Sequence, residues 1–237
     1  MRALSSEKIL AVWEAGQQQH ELDRALTLLS AASPGLSRDE LADLTIGERD
    51  ARLLRLRTLV LGAGTNGFAE CPECGERVEF PVDTATLAHP QNVVETAREI
   101  EVNGTRVQFR LPTSRDLAEV VAAPGEARGL HRLIGRCVIE PSSTRDLPNE
   151  IVEAVSEAMQ EADPQAEIIV SLSCPGCGRC WELLFDIAHF FWKEIAAQAR
   201  RLLCEIDALA RAYGWTEREI LSLSAQRRQT YLELVAA

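Results

Sequence analysis

The longest periodic pattern of apolar residues lies in the C-terminal part of the chain. From Ile187 to Tyr213, apolar side chains recur every three or four residues, which predicts one long amphipathic helix. Gly214 is expected to end this helix, and Thr216 with Glu219 has the spacing of a capping box for a further helix. A continuous apolar stripe of this kind packs either in the core of its own chain or against another chain.

The N-terminal part is also predicted to be helical. Leucines recur with helical spacing from Leu22 to Leu29, and Ser33-Pro34-Gly35 predicts a break after them. Thr45 and Glu48 then form a capping box at the start of another helix. We expect the arginines of that helix to form a solvated cationic surface, with docking of an acidic partner as the alternative: Arg49, Arg52, Arg55 and Arg57.

Alternating patterns typical of β-hairpins occupy three places in the middle of the chain. Phe68–Phe80 and Ile168–Phe185 each alternate on both sides of a tight turn. Ile100–Leu111 alternates around Asn103-Gly104, the pair typical of a two-residue hairpin loop. Gly62–Gly67 lacks the Lys-Ser/Thr of a phosphate-binding loop, so a linker is expected there.

Three helices are predicted between the second and third hairpins. The first begins at Thr113 and ends near Pro124-Gly125. The second is expected over Glu126–Ile139 and the third over Pro148–Glu161, followed by Asp163-Pro164.

One short pattern occurs twice, at Cys71-Pro72-Glu73-Cys74-Gly75 and at Cys174-Pro175-Gly176-Cys177-Gly178. Two cysteines separated by two residues can face one metal ion, and a structural zinc site takes four ligands. We therefore predict one closed site of four cysteines holding structural zinc: Cys71, Cys74, Cys174 and Cys177. Iron, a thiol redox pair and the absence of a metal remain alternatives. A closed site leaves no coordination position for a substrate, so it favours an architectural role over catalysis.

The other cysteines and the histidines are predicted to be outside this site. Cys180 could replace a ligand, but the placement of proline and glycine favours the four cysteines named above. Cys137 and Cys204 fall in helical patterns and are expected to be buried. No catalytic role is expected for the histidines, which have no nucleophile motif beside them: His20, His89, His131 and His189.

The predicted fold class is α+β, mostly helical, with small antiparallel β-hairpins that form a zinc-ribbon-like module and a long C-terminal amphipathic helix. Four regions are expected: a helical N-terminal region (1–62), a β region with two zinc knuckles (63–112 and 165–186), a helical insert (113–164) and a C-terminal helical arm (187–237).

The composition and net charge indicate the class of protein and disfavour some partners. The chain has 237 residues, 46% of them hydrophobic and 26% charged, which is typical of a globular protein. Its net charge of −11 disfavours nonspecific binding to nucleic acid. We expect no membrane span and no signal peptide. Seven cysteines, four of them in metal spacing, fit a reducing cytoplasm better than a disulfide framework.

Several segments resemble the baseplate hub assembly chaperones of contractile phage tails and related bacterial contractile injection systems. The resemblance rests on these segments: Thr45-Ile46-Gly47-Glu48-Arg49-Asp50-Ala51-x-Leu53-Leu54, Arg110-Leu111-Pro112-Thr113-Ser114-x-Asp116-Leu117, both cysteine turns, Phe185-Asp186-Ile187, Trp192-x-Glu194-Ile195 and Ala212-Tyr213-Gly214-Trp215. It implies a non-enzymatic protein that helps to build a baseplate, with baseplate, hub or spike proteins as partners. Incorporation into the assembled particle and homo-oligomerisation are further expectations.

Two other functions remain open. Paired cysteine turns also occur in zinc-ribbon proteins associated with nucleic acid or transcription, although here glutamates surround the first turn: Glu70, Glu73, Glu76 and Glu79. An enzyme that uses Cys180 as a nucleophile is the third hypothesis.

Overall fold

The computed structural model describes residues 1–88, 97–122, 129–140 and 147–236, in which helices predominate over short strands. The helices are α1 (Ser6–Gly16), α2 (Glu21–Ala32), α3 (Arg38–Ala42), α4 (Ile46–Leu61), α5 (Thr84–Leu87), α6 (Ser114–Val121), α7 (Gly129–Cys137), α8 (Asn149–Ala162), α9 (Ile187–Tyr213), α10 (Glu217–Ser222) and α11 (Ala225–Ala236), with a 3₁₀ turn over Pro164–Ala166. The strands are β1 (Gly64–Glu70), β2 (Arg77–Asp83), β3 (Arg98–Val102), β4 (Thr105–Phe109), β5 (Val138–Glu140), β6 (Ile169–Ser173) and β7 (Cys180–Leu184). The α+β class is thus confirmed, and the four-region division of the chain stays a prediction.

Helix α9 lies at the centre of the main hydrophobic core. Its apolar stripe, from Ile187 through Phe191 and Ile195 to Leu202, is buried against α1, α2 and α4. The long helix is confirmed, and its stripe packs within its own chain. Gly214 ends it with φ of 67°, and the Gly214 N–H donates to the Ala210 carbonyl at 2.9 Å. Among the described residues no helix is both long and apolar enough to cross a membrane.

A second, smaller core forms between the sheet β3-β4-β5 and helices α7 and α8. Val107, Phe109 and Ile134 are at most 1% exposed there. The β3–β4 hairpin turns at Asn103 and Gly104, both with positive φ (51° and 77°), as the sequence predicted.

The predicted end of helix α7 is wrong. The helix stops at Cys137, and Val138–Glu140 instead forms β5, in which Val138 pairs with Phe109 of β4. Val138 and Ile139 are β-branched, so pairing with an available strand edge outweighs continuation of the helix. The other predicted ends, near Pro124-Gly125 and at Glu126, lie outside the described residues.

The glycine-rich stretch after α4 is a strand, not the linker that the sequence predicted. Residues from Gly64 to Gly67 pair with β2 in register. A side chain at Gly67 would meet the ring of Phe80 at 2.5 Å from the added Cβ. The glycine therefore allows the backbone of β1 to lie directly on an aromatic side chain of the main core.

Two of the four arginines on α4 are buried, so the predicted solvated cationic surface is wrong for them. Arg57 is 1% exposed, and its Nε and Nη2 donate to the Glu194 carboxylate of α9 at 3.0 and 2.8 Å. Arg57 Nη1 also donates to the Ala63 carbonyl at 2.9 Å. Arg49 is 5% exposed, and its Nε donates to Asp50 at 2.7 Å. The Arg57–Glu194 pair joins α4, α9 and the start of β1.

The beginning of α4 connects the two cores. The capping box of Thr45 and Glu48 is confirmed. The Gly47 N–H donates to Asp163 Oδ2 at 2.9 Å, and a Cβ on Gly47 would lie 1.7 Å from the other carboxylate oxygen. Only glycine leaves room for this carboxylate at the helix N-terminus, where the helix dipole favours negative charge. The Ile46 N–H donates to the Pro112 carbonyl at 3.1 Å.

Asp116 organises the segment that follows Pro112. This carboxylate is 1% exposed and accepts two hydrogen bonds from Arg110, at 2.6 and 2.9 Å, and one from Arg136 at 3.1 Å. Burial opposes ionisation of Asp116, but hydrogen bonds from Arg110 and Thr113 outweigh it and lower its pKa to about 2. Asp116 is therefore ionised at neutral pH and fixes β4, α6 and α7 relative to one another.

Loss of Glu194 is expected to destabilise the fold, because Arg57 would remain as a buried cation without its counter-ion. We expect Glu194→Gln to lower the free energy of unfolding by about 3 kcal/mol, measured by urea denaturation. Asp207→Asn is the matched control on the same helix, since Asp207 and its partner Arg211 are 60% and 80% exposed. That control should cost less than about 0.5 kcal/mol, and equal losses in the two variants would contradict the account.

Candidate metal centre

Two antiparallel hairpins, β1–β2 and β6–β7, carry the two cysteine turns at their tips. In the first turn, the Cys71 N–H donates to the Glu76 carbonyl at 2.8 Å, and the Gly75 N–H donates to the Cys71 carbonyl at 2.9 Å. The second turn repeats both bonds at the same distances: Cys174 N–H to the Arg179 carbonyl, and Gly178 N–H to the Cys174 carbonyl.

The glycine after each turn adopts a positive φ, 73° at Gly75 and 75° at Gly178. Residues with a side chain rarely adopt this conformation, which explains the glycine at the same place in both turns. The two turns therefore have the same local geometry, each with two sulfur atoms on one side.

The structure brings together the four cysteines that the sequence singled out. Their sulfur atoms all lie within 4.8 Å of one another. Cys71 Sγ lies 3.6 Å from Cys177 Sγ, and Cys74 Sγ lies 3.6 Å from Cys174 Sγ. A tetrahedral zinc site with bonds of about 2.3 Å has sulfur–sulfur edges of about 3.8 Å. A disulfide needs about 2.05 Å, so the arrangement is compatible with one ion and not with disulfide bonds.

The candidate site has one buried side and one exposed side. Cys71 and Cys174 are each 2% exposed and pack with Val78 and Trp181 in a small apolar cluster. Cys74 and Cys177 are exposed. Apolar packing therefore fixes one ligand from each turn, while the other ligand of each turn borders solvent.

The pKa values of Cys71 and Cys74 in the first turn are shifted in opposite directions. Burial disfavours the Cys71 thiolate, but the N–H groups of Cys74 and Glu73 outweigh it and lower the pKa of Cys71 to about 7. The Glu76 N–H favours the Cys74 thiolate, yet the neighbouring sulfurs of Cys177 and Cys174 raise the pKa of Cys74 to about 12. Without a cation, ionisation of one sulfur thus opposes ionisation of the next, and a bound divalent cation removes that opposition.

The remaining cysteines lie outside this group. Cys180 is exposed, and its Sγ contacts Ser173 Oγ at 3.7 Å. Cys137 is buried in the second core, as predicted. Cys204 is exposed, so its predicted burial is wrong. The helical stripe suggested burial, but Cys204 lies off the face of α9 that meets the core.

The described histidines have structural contacts. His20 caps α2, its Nδ1 accepting from the Leu22 N–H at 3.3 Å. His131 Nε2 lies 2.9 Å from Asn149 Oδ1, and His189 Nδ1 lies 2.7 Å from Glu21 Oε1. His89 lies outside the described residues.

Sequence reasoning missed a groove that lies between the two hairpins and α9. Its volume is about 520 Å³, and it is lined by residues of β1, β2, β7 and α9, among them Phe68, Leu184, Phe190 and Lys193. These residues come from elements more than a hundred positions apart, so no local pattern predicts the groove. The one signal for the groove in the sequence is the pair of apolar residues Phe68 and Leu184, which occupy strand positions that the fold exposes.

Comparison with known proteins identifies the family. The family model described as T4 bacteriophage base plate protein matches residues 3–140, more than half of the 237-residue chain. Neither a curated protein nor a solved structure matched the chain. The matched range contains the Thr45–Leu54 and Arg110–Leu117 segments and the first cysteine turn, and it ends before the second. The chain belongs to the T4 bacteriophage base plate protein family.

Proposed function

We propose that this protein is a structural factor for the baseplate or hub of a contractile, phage-tail-like injection particle, and that it acts as an assembly chaperone there. The observation that carries the proposal is the family match over residues 3–140. Membership supports a structural role and contact with other baseplate proteins. The chaperone role, the hub or spike as partner and the lack of enzymatic activity are parts of the proposal.

The architecture of the matched range fits this role. Two of the segments that carry the resemblance, Thr45–Leu54 and Arg110–Leu117, meet where the Ile46 N–H donates to the Pro112 carbonyl and Thr45 forms an isolated β-bridge with Thr113. Asp163, which follows the matched range, accepts a hydrogen bond from the Gly47 N–H at this joint, and the Arg110–Asp116 ion pair lies beside it. Residues typical of the resemblance thus serve to hold two cores together, as a rigid binding body requires.

A structural zinc ion held by Cys71, Cys74, Cys174 and Cys177 is the second part of the proposal. The donor set supports it, because four thiol sulfurs within 4.8 Å of one another match what zinc prefers in a structural site. The two hairpins form separate two-stranded sheets among the described residues. An ion shared by their tips would join the family-matched part of the chain to the part that follows it.

Zinc content tests the metal proposal. We expect the purified protein to contain about one zinc ion per chain, measured by elemental mass spectrometry. Cys74→Ser should lose the zinc and lower the thermal unfolding midpoint by roughly 10 °C, because the link between distant segments is lost. Cys74 is exposed, so the substitution creates no cavity in the core.

Cys180→Ser is the matched control for this experiment. Cys180 is also an exposed cysteine at the second turn, but it lies outside the group of four. It should keep its zinc and its unfolding midpoint. Folded wild-type protein without metal, or a Cys74→Ser variant that retains as much zinc as wild type, would contradict the proposal.

Deletion of the gene tests the assembly role. We expect the deletion strain to accumulate sheath and tube without complete particles in electron micrographs, and a tagged chain to recover hub, spike or other baseplate proteins. Complementation with the wild-type chain should restore particles. Normal particle numbers in the deletion strain would refute the assembly role and leave the metal site unaffected.

A further inference from the structure

We propose that the groove between the hairpins and α9 binds an extended, acidic segment of a partner protein, which pairs with a free strand edge in the groove. The inference rests on the proposed baseplate role, since it assigns the surface through which this chain would hold another baseplate protein. It is carried by the strand edges, the apolar exposure and the local charge of the groove.

Strand edges, rather than strand faces, line the groove. Four consecutive residues of β1, Thr65–Phe68, border it, as do Leu183 and Leu184 of β7. Successive side chains of a strand point to opposite faces, so consecutive residues border one cavity only where the edge of the strand turns towards it. Each of these strands has one partner in the described sheets, so its second edge is unpaired there.

Backbone hydrogen bonding shows which groups those edges offer. Directly after β1, the Cys71 N–H bonds to the carbonyl of Glu76, which directly precedes β2. By the alternation of an antiparallel ladder, Phe68 and Asn66 then direct their N–H and C=O groups away from β2. Directly after β7, the Phe185 N–H bonds to the Ile168 carbonyl, so Leu184 directs its backbone groups outward by the same alternation. An extended segment lying in the groove could pair with them, as in strand addition to a sheet edge.

Large apolar side chains are exposed at the same place. Phe68 is 52% exposed and Leu184 is 59% exposed, and both line the groove with the half-buried Phe190. Water-exposed apolar surface beside free backbone donors favours a partner that supplies both apolar side chains and a backbone edge.

The free charge in the groove is positive, although the chain as a whole carries −11. Arg77 lies over the Phe68 ring at 4.2 Å, and the exposed Lys193 lies on α9. Neither forms an ion pair with any residue that the structure describes. Of the two carboxylates that line the groove, Glu194 pairs with Arg57, and Asp186 caps α9 by accepting a hydrogen bond from the His189 N–H at 3.0 Å. Arg77 and Lys193 therefore outnumber Asp186, the one lining carboxylate without a described cationic partner, and this positive balance favours acidic side chains in the partner.

Peptide binding to the purified full-length chain tests this proposal without requiring particle assembly. The probe is a short fluorescein-labelled peptide in which valine and glutamate alternate, and the readout is fluorescence anisotropy. We expect saturable binding, and binding about tenfold weaker for the counterpart in which lysine replaces glutamate. Absence of saturable binding, or equal binding of the two peptides, would overturn the groove assignment.

Charge reversal on α9 locates the binding. Lys193→Glu should weaken binding of the acidic peptide about tenfold. Arg200→Glu is the matched control, an exposed residue on the same helix that does not line the groove, and it should leave the affinity unchanged. Equal effects of the two substitutions would mean that overall charge, and not the groove, attracts the peptide.

Two further measurements test the type of contact. Asn66→Pro removes an outward N–H of β1 and keeps the backbone bonds to β2, but it also removes the hydrogen bond from Asn66 Nδ2 to Glu79. Asn66→Ala loses only that side-chain bond and is the matched control. Asn66→Pro should bind the peptide more weakly than Asn66→Ala, with circular dichroism confirming the fold of both. A single-stranded DNA oligonucleotide should not displace the peptide. Equal affinity of folded Asn66→Pro and Asn66→Ala would refute strand pairing, and displacement by DNA would assign the groove to nucleic acid instead.

Failure here is distinguishable from failure of the baseplate role. If the peptide does not bind but deletion of the gene still abolishes particles, the groove assignment falls and the assembly role stands. If the peptide binds but particles form normally without the chain, the groove assignment stands and the assembly role falls.

Discussion

The meeting of four cysteine sulfurs from two distant turns is the constraint on which the account of this molecule depends. Cys71 and Cys174 stand about a hundred residues apart in the chain, yet their sulfurs belong to one group that spans at most 4.8 Å. Each turn can hold its own pair of sulfurs, but only together do they offer a divalent ion four ligands. The family-matched range contributes one pair and the later part of the chain contributes the other.

The four cysteines lie at the tips of two hairpins that also border the groove beside α9. The two hairpins rest on the main core through Phe80 and Leu172, and they lie beside the N-terminal part of α9. The four sulfurs of the tips lie close together, while the strands remain in separate two-stranded sheets that border the groove. The proposed ion at the tips and the unpaired strand edges in the groove thus belong to one arrangement, and both fit the proposed binding of other baseplate proteins.

Much of the fold could be predicted from the sequence where the cause of a structure is local. The capping box of Thr45 and Glu48, the Asn103-Gly104 hairpin and the stripe of α9 each depend on residues close together in the chain. The paired cysteine turns could be recognised for the same reason. That they meet was an inference from the chemistry of zinc, which needs four ligands, and not from any signal in the intervening residues.

The parts that sequence reasoning missed depend on contacts between distant residues. The sequence around Arg57 suggests a surface arginine, because its counter-ion Glu194 lies far along the chain and only the fold brings the two together. The sequence around Val138 has a helical pattern, but in the folded chain Val138 pairs with Phe109 at the edge of β4. The groove likewise forms only when β1 and β7 are brought to α9, so its lining residues share no pattern along the sequence.

X-ray absorption spectroscopy at the zinc edge of the purified protein tests the central claim most directly, because it reports the ligands of the ion itself. The account predicts four sulfur neighbours at about 2.3 Å and no nitrogen or oxygen neighbour in the first coordination shell. A shell of mixed sulfur and nitrogen or oxygen ligands, or a spectrum showing only adventitious solvated zinc, would contradict it.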